Sequence, residues 1–155
     1  MRRPEEVQVF VFRRSGEEFL VLHRSPGLGG YWHPASGALE AGEDAEQAAL
    51  RELREELDLD AAGRLWPVRH EYSYAAAEEP RVRRAEWPPG TERIAVTGLI
   101  AEAPPGFEPT LNREHDDYRW CTFDEAVSLF HWPDVGDALR ELWGKAVPGT
   151  EMPGT

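Results

Sequence analysis

Glu52, Glu55 and Glu56 are the residues of this chain best placed to do chemistry together. The second and third follow the first by three and four positions, so on a helix all three share one face. Like charges at that spacing oppose helix formation by roughly 0.2–0.5 kcal/mol per pair. A chain that keeps them side by side needs something to neutralise them. A divalent cation does so, and oxygen-only donors suit Mg²⁺ first and Mn²⁺ second. The plainer alternative is a solvated acidic face. Arg51 sits at the edge of the cluster, where a bidentate pair can hold one carboxylate.

The element that must position these acids is a helix opening after Glu43. Asp44 is a good N-cap, and Gln47 three residues on can reach back to it. At about 100° per residue, Leu50, Leu53 and Leu57 form one apolar stripe. The three carboxylates fall nearly opposite, beside Ala45, Ala48 and Ala49. The helix is therefore expected to bury its leucines and leave the acidic side open. Asp58 stands where Gly would favour a left-handed exit, a conformation Asp tolerates at a modest stability cost.

Around this helix, Val7 to Arg13 and Phe19 to His23 read as strands joined at Ser15-Gly16. Residues 25–30 read as a loop, and Tyr31 to Ser36 as a short extended run. Leu65 to Tyr74, Arg93 to Ala103 and Asp117 to Thr122 read as further strands, with a long loop from Glu78 to Glu92. Helices follow at Phe123 to Phe130, capped by Thr122, and from Pro133 to about Lys145. This order predicts an α/β chain of the α+β type, a mixed sheet flanked by helices. One domain over residues 1–147 and a disordered tail at 148–155 are expected.

The net charge of −12 and pI of about 4.8 argue against a nucleic-acid partner. They do not argue against a small anionic substrate, because a bound metal inverts the local sign. Cys121 is the single cysteine, so no internal disulfide forms, which suits a reducing cytoplasm. It lies in a short apolar run and reads as core filler. The first residues hold no apolar stretch long enough for a signal or a membrane span.

The segment from Gly37 to Leu59 fits G-x5-E-x7-R-E-U-x-E-E-x-G-U, where U is aliphatic, at Gly37, Glu43, Arg51, Glu52, Leu53, Glu55, Glu56 and Leu59. Asp58 is the one departure. The pattern resembles the signature of the Nudix hydrolase family. That resemblance implies an α/β/α sandwich and Mg²⁺-dependent cleavage of a diphosphate linkage. Little covalent work falls to the protein in such a reaction; water must be aligned and phosphoryl charge offset. By the resemblance Glu52 and Glu56 bind metal, Glu55 acts as ligand or base, the Gly37 carbonyl joins them, and Glu43 supports Arg51 and the loop. Which carboxylate is the base stays open. Glu114 is the candidate ligand from outside the motif. His115 is a second choice as base, and reads more simply as a surface histidine.

Three stretches look most like the dihydroneopterin triphosphate pyrophosphohydrolases of that family: Tyr31-Trp32 through Ser36-Gly37, Pro89 to Glu92, and Glu114-His115 through Trp120. The resemblance implies that Arg24 and Ser36 contact phosphate or the sugar-like chain, with Arg2 or Arg3 in reach. Arg81, Arg83 and Arg84 would close a loop over a triphosphate. Trp32, Trp87, Trp66 and Tyr72 are candidates to stack on a pterin or nucleobase, the first two because they flank site loops. The runs Trp32-x-Pro34 and Tyr118 to Trp120 also resemble diadenosine tetraphosphate hydrolases, where Lys usually stands in place of Ser36. General nucleoside triphosphate pyrophosphohydrolysis remains open. So do a non-catalytic nucleotide-binding module and a structural metal site, although a module without catalysis has no reason to keep the acidic repulsion. A homodimer is possible.

Overall fold

The computed structural model of the protein describes residues 4–78 and 87–146. Seven strands form one mixed sheet: β1 (Glu5–Arg13), β2 (Glu18–Arg24), β3 (Trp32–His33), β4 (Ala35–Ala38), β5 (His70–Ala75), β6 (Arg93–Glu102) and β7 (His115–Cys121). Helix α1 (Ala45–Leu57) follows β4, and α2 (Phe123–Leu129) and α3 (Pro133–Ala146) close the chain. The described path across the sheet is β3-β2-β1-β6-β5, with β4 added to β1 and β7 to β2. Among the described residues only β1 and β6 run parallel; every other pairing is antiparallel.

Alternation along the strands sorts two cores onto the two faces. Phe10, Phe12, Phe19, Val21 and Ile100 face α2 and α3, meeting Phe123, Leu139, Leu142 and Trp143. Val9, Val11, Leu20, Leu22 and Leu99 face α1, meeting Ala49, Leu53 and Leu57. The expected α/β/α sandwich is what the chain forms. Trp143 packs edge-on against Phe12 and Phe19, each at 5.1 Å between centroids. Gly16, at φ +92°, turns β1 into β2 directly over that indole, and a Cβ there would overlap it. Cys121 is buried in the same core.

Strand β1 is the fork on which the site depends. Its C-terminal end pairs with β2 at Phe12↔Phe19, whereas Glu6 to Val9 pair with β4. The run expected to be one extended piece from Tyr31 to Ser36 is thus two strands. Pro34 separates β3, which pairs with β2, from β4, which continues through Gly37 to Ala38. The strand expected from Leu65 begins only at His70, because Pro67 lacks an N–H; Leu65 makes one isolated bridge to Ala101. Strand β7 starts two residues earlier than expected, at His115. Arg2, Arg3, Arg81, Arg83, Arg84 and the tail at 148–155 lie outside the described residues.

Candidate active site

Helix α1 begins as its residues dictate. Asp44 accepts from the Gln47 N–H at 2.8 Å and Gln47 reaches back to the Asp44 N–H at 2.9 Å. It ends with Asp58 in the left-handed region, φ 57° and ψ 39°. Its buried face is not the leucine stripe alone. Ala48, Ala49, Glu52, Leu53, Glu56 and Leu57 are all buried, while Leu50 is only partly so. The expectation of an open acidic side is therefore corrected: Glu52 and Glu56 point inward beneath β4, and only Glu55 stays exposed. Fully buried Ala48 and Ala49 let the helix approach the sheet. Gly37 lets Glu52 in, since a Cβ at that position would overlap its carboxylate. The Ser36 N–H donates to Oε2 of Glu56 at 3.2 Å.

Arg51 organises the loop before the helix. Its Nε and Nη2 donate to the two Glu43 oxygens at 2.7 and 2.9 Å. Nη1 reaches Glu52 at 2.8 Å and Glu55 at 3.3 Å, and Nη2 also reaches the Ala38 carbonyl at 2.9 Å. Glu43 further accepts the Glu40 N–H at 2.8 Å. One guanidinium thus ties the loop, the end of β4 and two acids together. Its own pKa rises above the ordinary value, chiefly through the Glu43 hydrogen bonds.

A second segment completes the cluster. The register between β2 and β7 shifts between His23 and Arg24, with Asp116 the extra residue on β7, so that Arg24 pairs with His115. The loop before β7 docks on α1. Asn112 donates from Nδ2 to the Glu55 carbonyl at 3.0 Å and accepts the Glu114 N–H at 2.9 Å. The Ser25 N–H fixes the Glu114 carbonyl at 2.9 Å. Glu56, Glu114 and His115 then each offer a donor atom within 4.8 Å of the others. His115, expected at the surface, is buried, and its Nε2 lies 2.8 Å from Nε2 of His33. Nδ1 of His33 lies 3.4 Å from the Ser36 hydroxyl.

The electrostatics of the cluster disfavour several negative charges held together without a cation. Burial pushes Glu52 up to about 7, with Glu55 and Glu114 adding to the rise and Arg51 opposing it. Burial raises Glu56 as well; Glu52 and Glu114 add, and Arg24 and the Ser36 N–H oppose. Glu56 is 1% exposed, yet its Oε1 has no hydrogen-bond partner. Buried Arg24 likewise has no hydrogen bond at Nε. A carboxylate oxygen left without a donor beside other acids fits a divalent cation, and the nearby unused guanidinium N–H fits an anion. Among the described residues Glu56 and Glu114 offer donor atoms close enough to share one ion, and Glu52 adjoins Glu56.

Beyond Ser36 and His33 lies a pocket of about 480 Å³ of atom-free space, open mouth included. Tyr31, Tyr72, Tyr74 and Trp132 line it, with Glu6 and Gln8 of β1. The Tyr72 hydroxyl donates to Gln8 at 2.7 Å. Of the aromatic residues expected to stack on a ligand, only Tyr72 is here. Trp32 packs on His23 at 4.7 Å and under the Arg119 guanidinium at 4.8 Å. Trp87 is buried among Ala38, Ala76 and Ile94, and Trp66 sits against the aromatic core. Tyr31, Tyr74 and Trp132 were not anticipated. A signal for the pocket was present in β1: Glu6 and Gln8 share a face with Phe10 and Phe12, so polar groups were bound for the buried side.

Residues 2–142 match the model of the NUDIX domain. The chain is 37% identical over 128 residues to the asymmetrical bis(5'-nucleosyl)-tetraphosphatase of Sus scrofa, covering 80% of this chain and 77% of that protein. It is 26% identical over 128 residues to the dihydroneopterin triphosphate diphosphatase of Escherichia coli, covering 83% and 84% respectively. The solved structure of the E. coli dihydroneopterin triphosphate pyrophosphohydrolase superposes with a TM-score of 0.77 at 23% identity, over 90% of this chain and 94% of that one. At that identity the superposition speaks for the fold.

Proposed function

The chain belongs to the Nudix family and is a hydrolase of phosphoanhydride bonds; from that premise we propose that its substrate joins one planar ring to a chain of three or more phosphates, and that Mg²⁺, or Mn²⁺ in its place, supports the cleavage. The observation that carries this reading is the shared wall of pocket and acids. Ser36 and His33 line the aromatic pocket, while the Ser36 N–H holds Glu56. A ring among Tyr31, Tyr72, Tyr74 and Trp132 leaves its phosphates facing Glu52, Glu56 and Glu114. Arg24 and Ser36 bind those phosphates, Arg24 through the Nε that has no protein partner. Glu43 and Arg51 hold Glu52 in place. A bound divalent cation supplies charge neutralisation and acidifies water for the attack. Glu55, the exposed acid of the three, is the proposed group to take or pass on the proton, a role its exposure to water supports.

Dihydroneopterin triphosphate is the first substrate to test, given the match to the E. coli diphosphatase over most of both chains. A dinucleoside tetraphosphate is the second, favoured by the higher identity to the Sus scrofa protein. The products separate them. The first substrate releases pyrophosphate, and asymmetric cleavage of the second yields a nucleoside triphosphate and a monophosphate. A panel of both, with common nucleoside triphosphates, is assayed in Mg²⁺ and in Mn²⁺. Turnover of none of them would overturn the reading. In this reading the partner is a small molecule, not nucleic acid or membrane, and the compartment is the cytoplasm. No described helix is long and apolar enough to cross a membrane. The described site is assembled within one chain, so a homodimer is not needed for it.

A further inference from the structure

We propose that His115 is itself a ligand of the metal, so that the site pairs the carboxylates of Glu56 and Glu114 with an imidazole nitrogen and favours Mn²⁺ over Mg²⁺ more than carboxylates alone would. This rests on the metal-dependent reading above, and adds a donor that the acidic motif does not contain. The three side chains bring donor atoms within 4.8 Å of one another. Glu56, 1% exposed, presents an oxygen with no hydrogen-bond partner to that cluster. His115 reaches the cluster from a different element, the first residue of β7, held by its pairing with Arg24. It is 3% exposed, so its ring cannot turn away into water.

The surroundings of the ring also fit ligation. Nε2 of His115 faces Nε2 of His33 at 2.8 Å, which leaves Nδ1 as the nitrogen for the metal. Ligating histidines generally donate their other N–H to a fixed acceptor, which sets the tautomer. With Nδ1 of His115 on the metal, His115 would donate from Nε2 to His33 Nε2, 2.8 Å away, and His33 from Nδ1 to the Ser36 hydroxyl, 3.4 Å away. The contacts then run from the metal through His115 and His33 to the pocket wall at Ser36. His33 is a positioning residue in this scheme. Its ring lies nearly parallel to that of His115, with 5.0 Å between centroids and 21° between planes. Mg²⁺ prefers oxygen, whereas imidazole raises affinity for later divalent ions, so a nitrogen donor widens the gap between Mn²⁺ and Mg²⁺.

The probe is Mn²⁺, read by electron paramagnetic resonance on the full chain. The spin-echo modulation should show one ¹⁴N coupling, which changes to the ¹⁵N pattern in protein labelled with [¹⁵N]histidine. In His115→Gln the coupling should vanish and Mn²⁺ affinity should fall by at least about tenfold, with a smaller loss for Mg²⁺. In His33→Gln the coupling should persist with weaker Mn²⁺ binding. Mn²⁺ bound without nitrogen coupling, at an affinity His115→Gln leaves unchanged, overturns the proposal and leaves the carboxylate site standing. No Mn²⁺ bound to the wild-type chain overturns the metal-dependent function itself. Should His115→Gln fail to fold, the labelled wild-type spectrum decides alone: ¹⁵N coupling supports histidine ligation and its absence refutes it.

Discussion

Glu56 and Glu52 set the behaviour of the protein at the scale of single residues. Glu52 keeps its proton in the folded protein up to about 7, well above the ordinary carboxyl value of 4.5, because burial disfavours its charge. A group bound more tightly to its proton when folded stabilises the fold below the unfolded value. That contribution disappears as pH rises through the folded value. Metal-free protein should accordingly lose on the order of a few kcal/mol between about pH 4.5 and pH 8. Urea melts in chelator across that range read the loss. Added Mg²⁺ or Mn²⁺ should flatten the slope by binding the ionised acids. Glu56→Gln separates stability from chemistry at the same position. It removes a group whose ionisation burial opposes, so in chelator its stability should fall less with rising pH than that of wild type. Turnover with metal should drop by roughly 10²-fold or more. An unchanged rate would remove Glu56 from the machinery.

Helix α1 and strand β4 carry the argument at the scale of elements. What is local in them was legible in the sequence: the Asp44–Gln47 capping box, the Thr122 cap of α2 and the left-handed exit at Asp58 all formed as the side chains require. The direction of the acids was not legible. A helical wheel places Glu52 and Glu56 away from Leu53 and Leu57. It cannot know that β4 will lie across the intervening alanines and bury both sides of the arc. The same holds for β3 and β4, where Pro34 splits one extended run between two partner strands. Gly37 is where this packing is tightest. Gly37→Ala should cost about 1–3 kcal/mol through overpacking. It should also lower kcat, because Glu52 must leave its place against Arg51. Thermal melts and steady-state kinetics on one preparation test both effects.

At the scale of the whole molecule, the site is a meeting of segments far apart in the chain. Asn112 docks one loop onto α1 and brings Glu114 beside Glu56, while β1, β5 and the start of α3 wall the pocket. Tyr72→Ala should therefore raise KM for the ring-bearing substrate several-fold, since stacking on an aromatic ring contributes roughly 1 kcal/mol. It should leave Mn²⁺ affinity alone. A change in Mn²⁺ affinity instead would mean that the Tyr72 side of the pocket, and not only its shared wall at Ser36 and His33, supports the metal. By itself the sequence determined a candidate cation site, because side chains three, four and eight residues apart on one loop and helix have fixed relations that spacing alone reveals; the reaction type came with the family whose motif those residues match. It also determined the layers, through alternation and caps. Only the tertiary structure decided that His115 is buried against His33, that Trp87 belongs to the core, and that Tyr31, Tyr74 and Trp132 share one pocket. Those relations depend on which strands pair and in what register, and long-range pairing leaves no period in the chain to read.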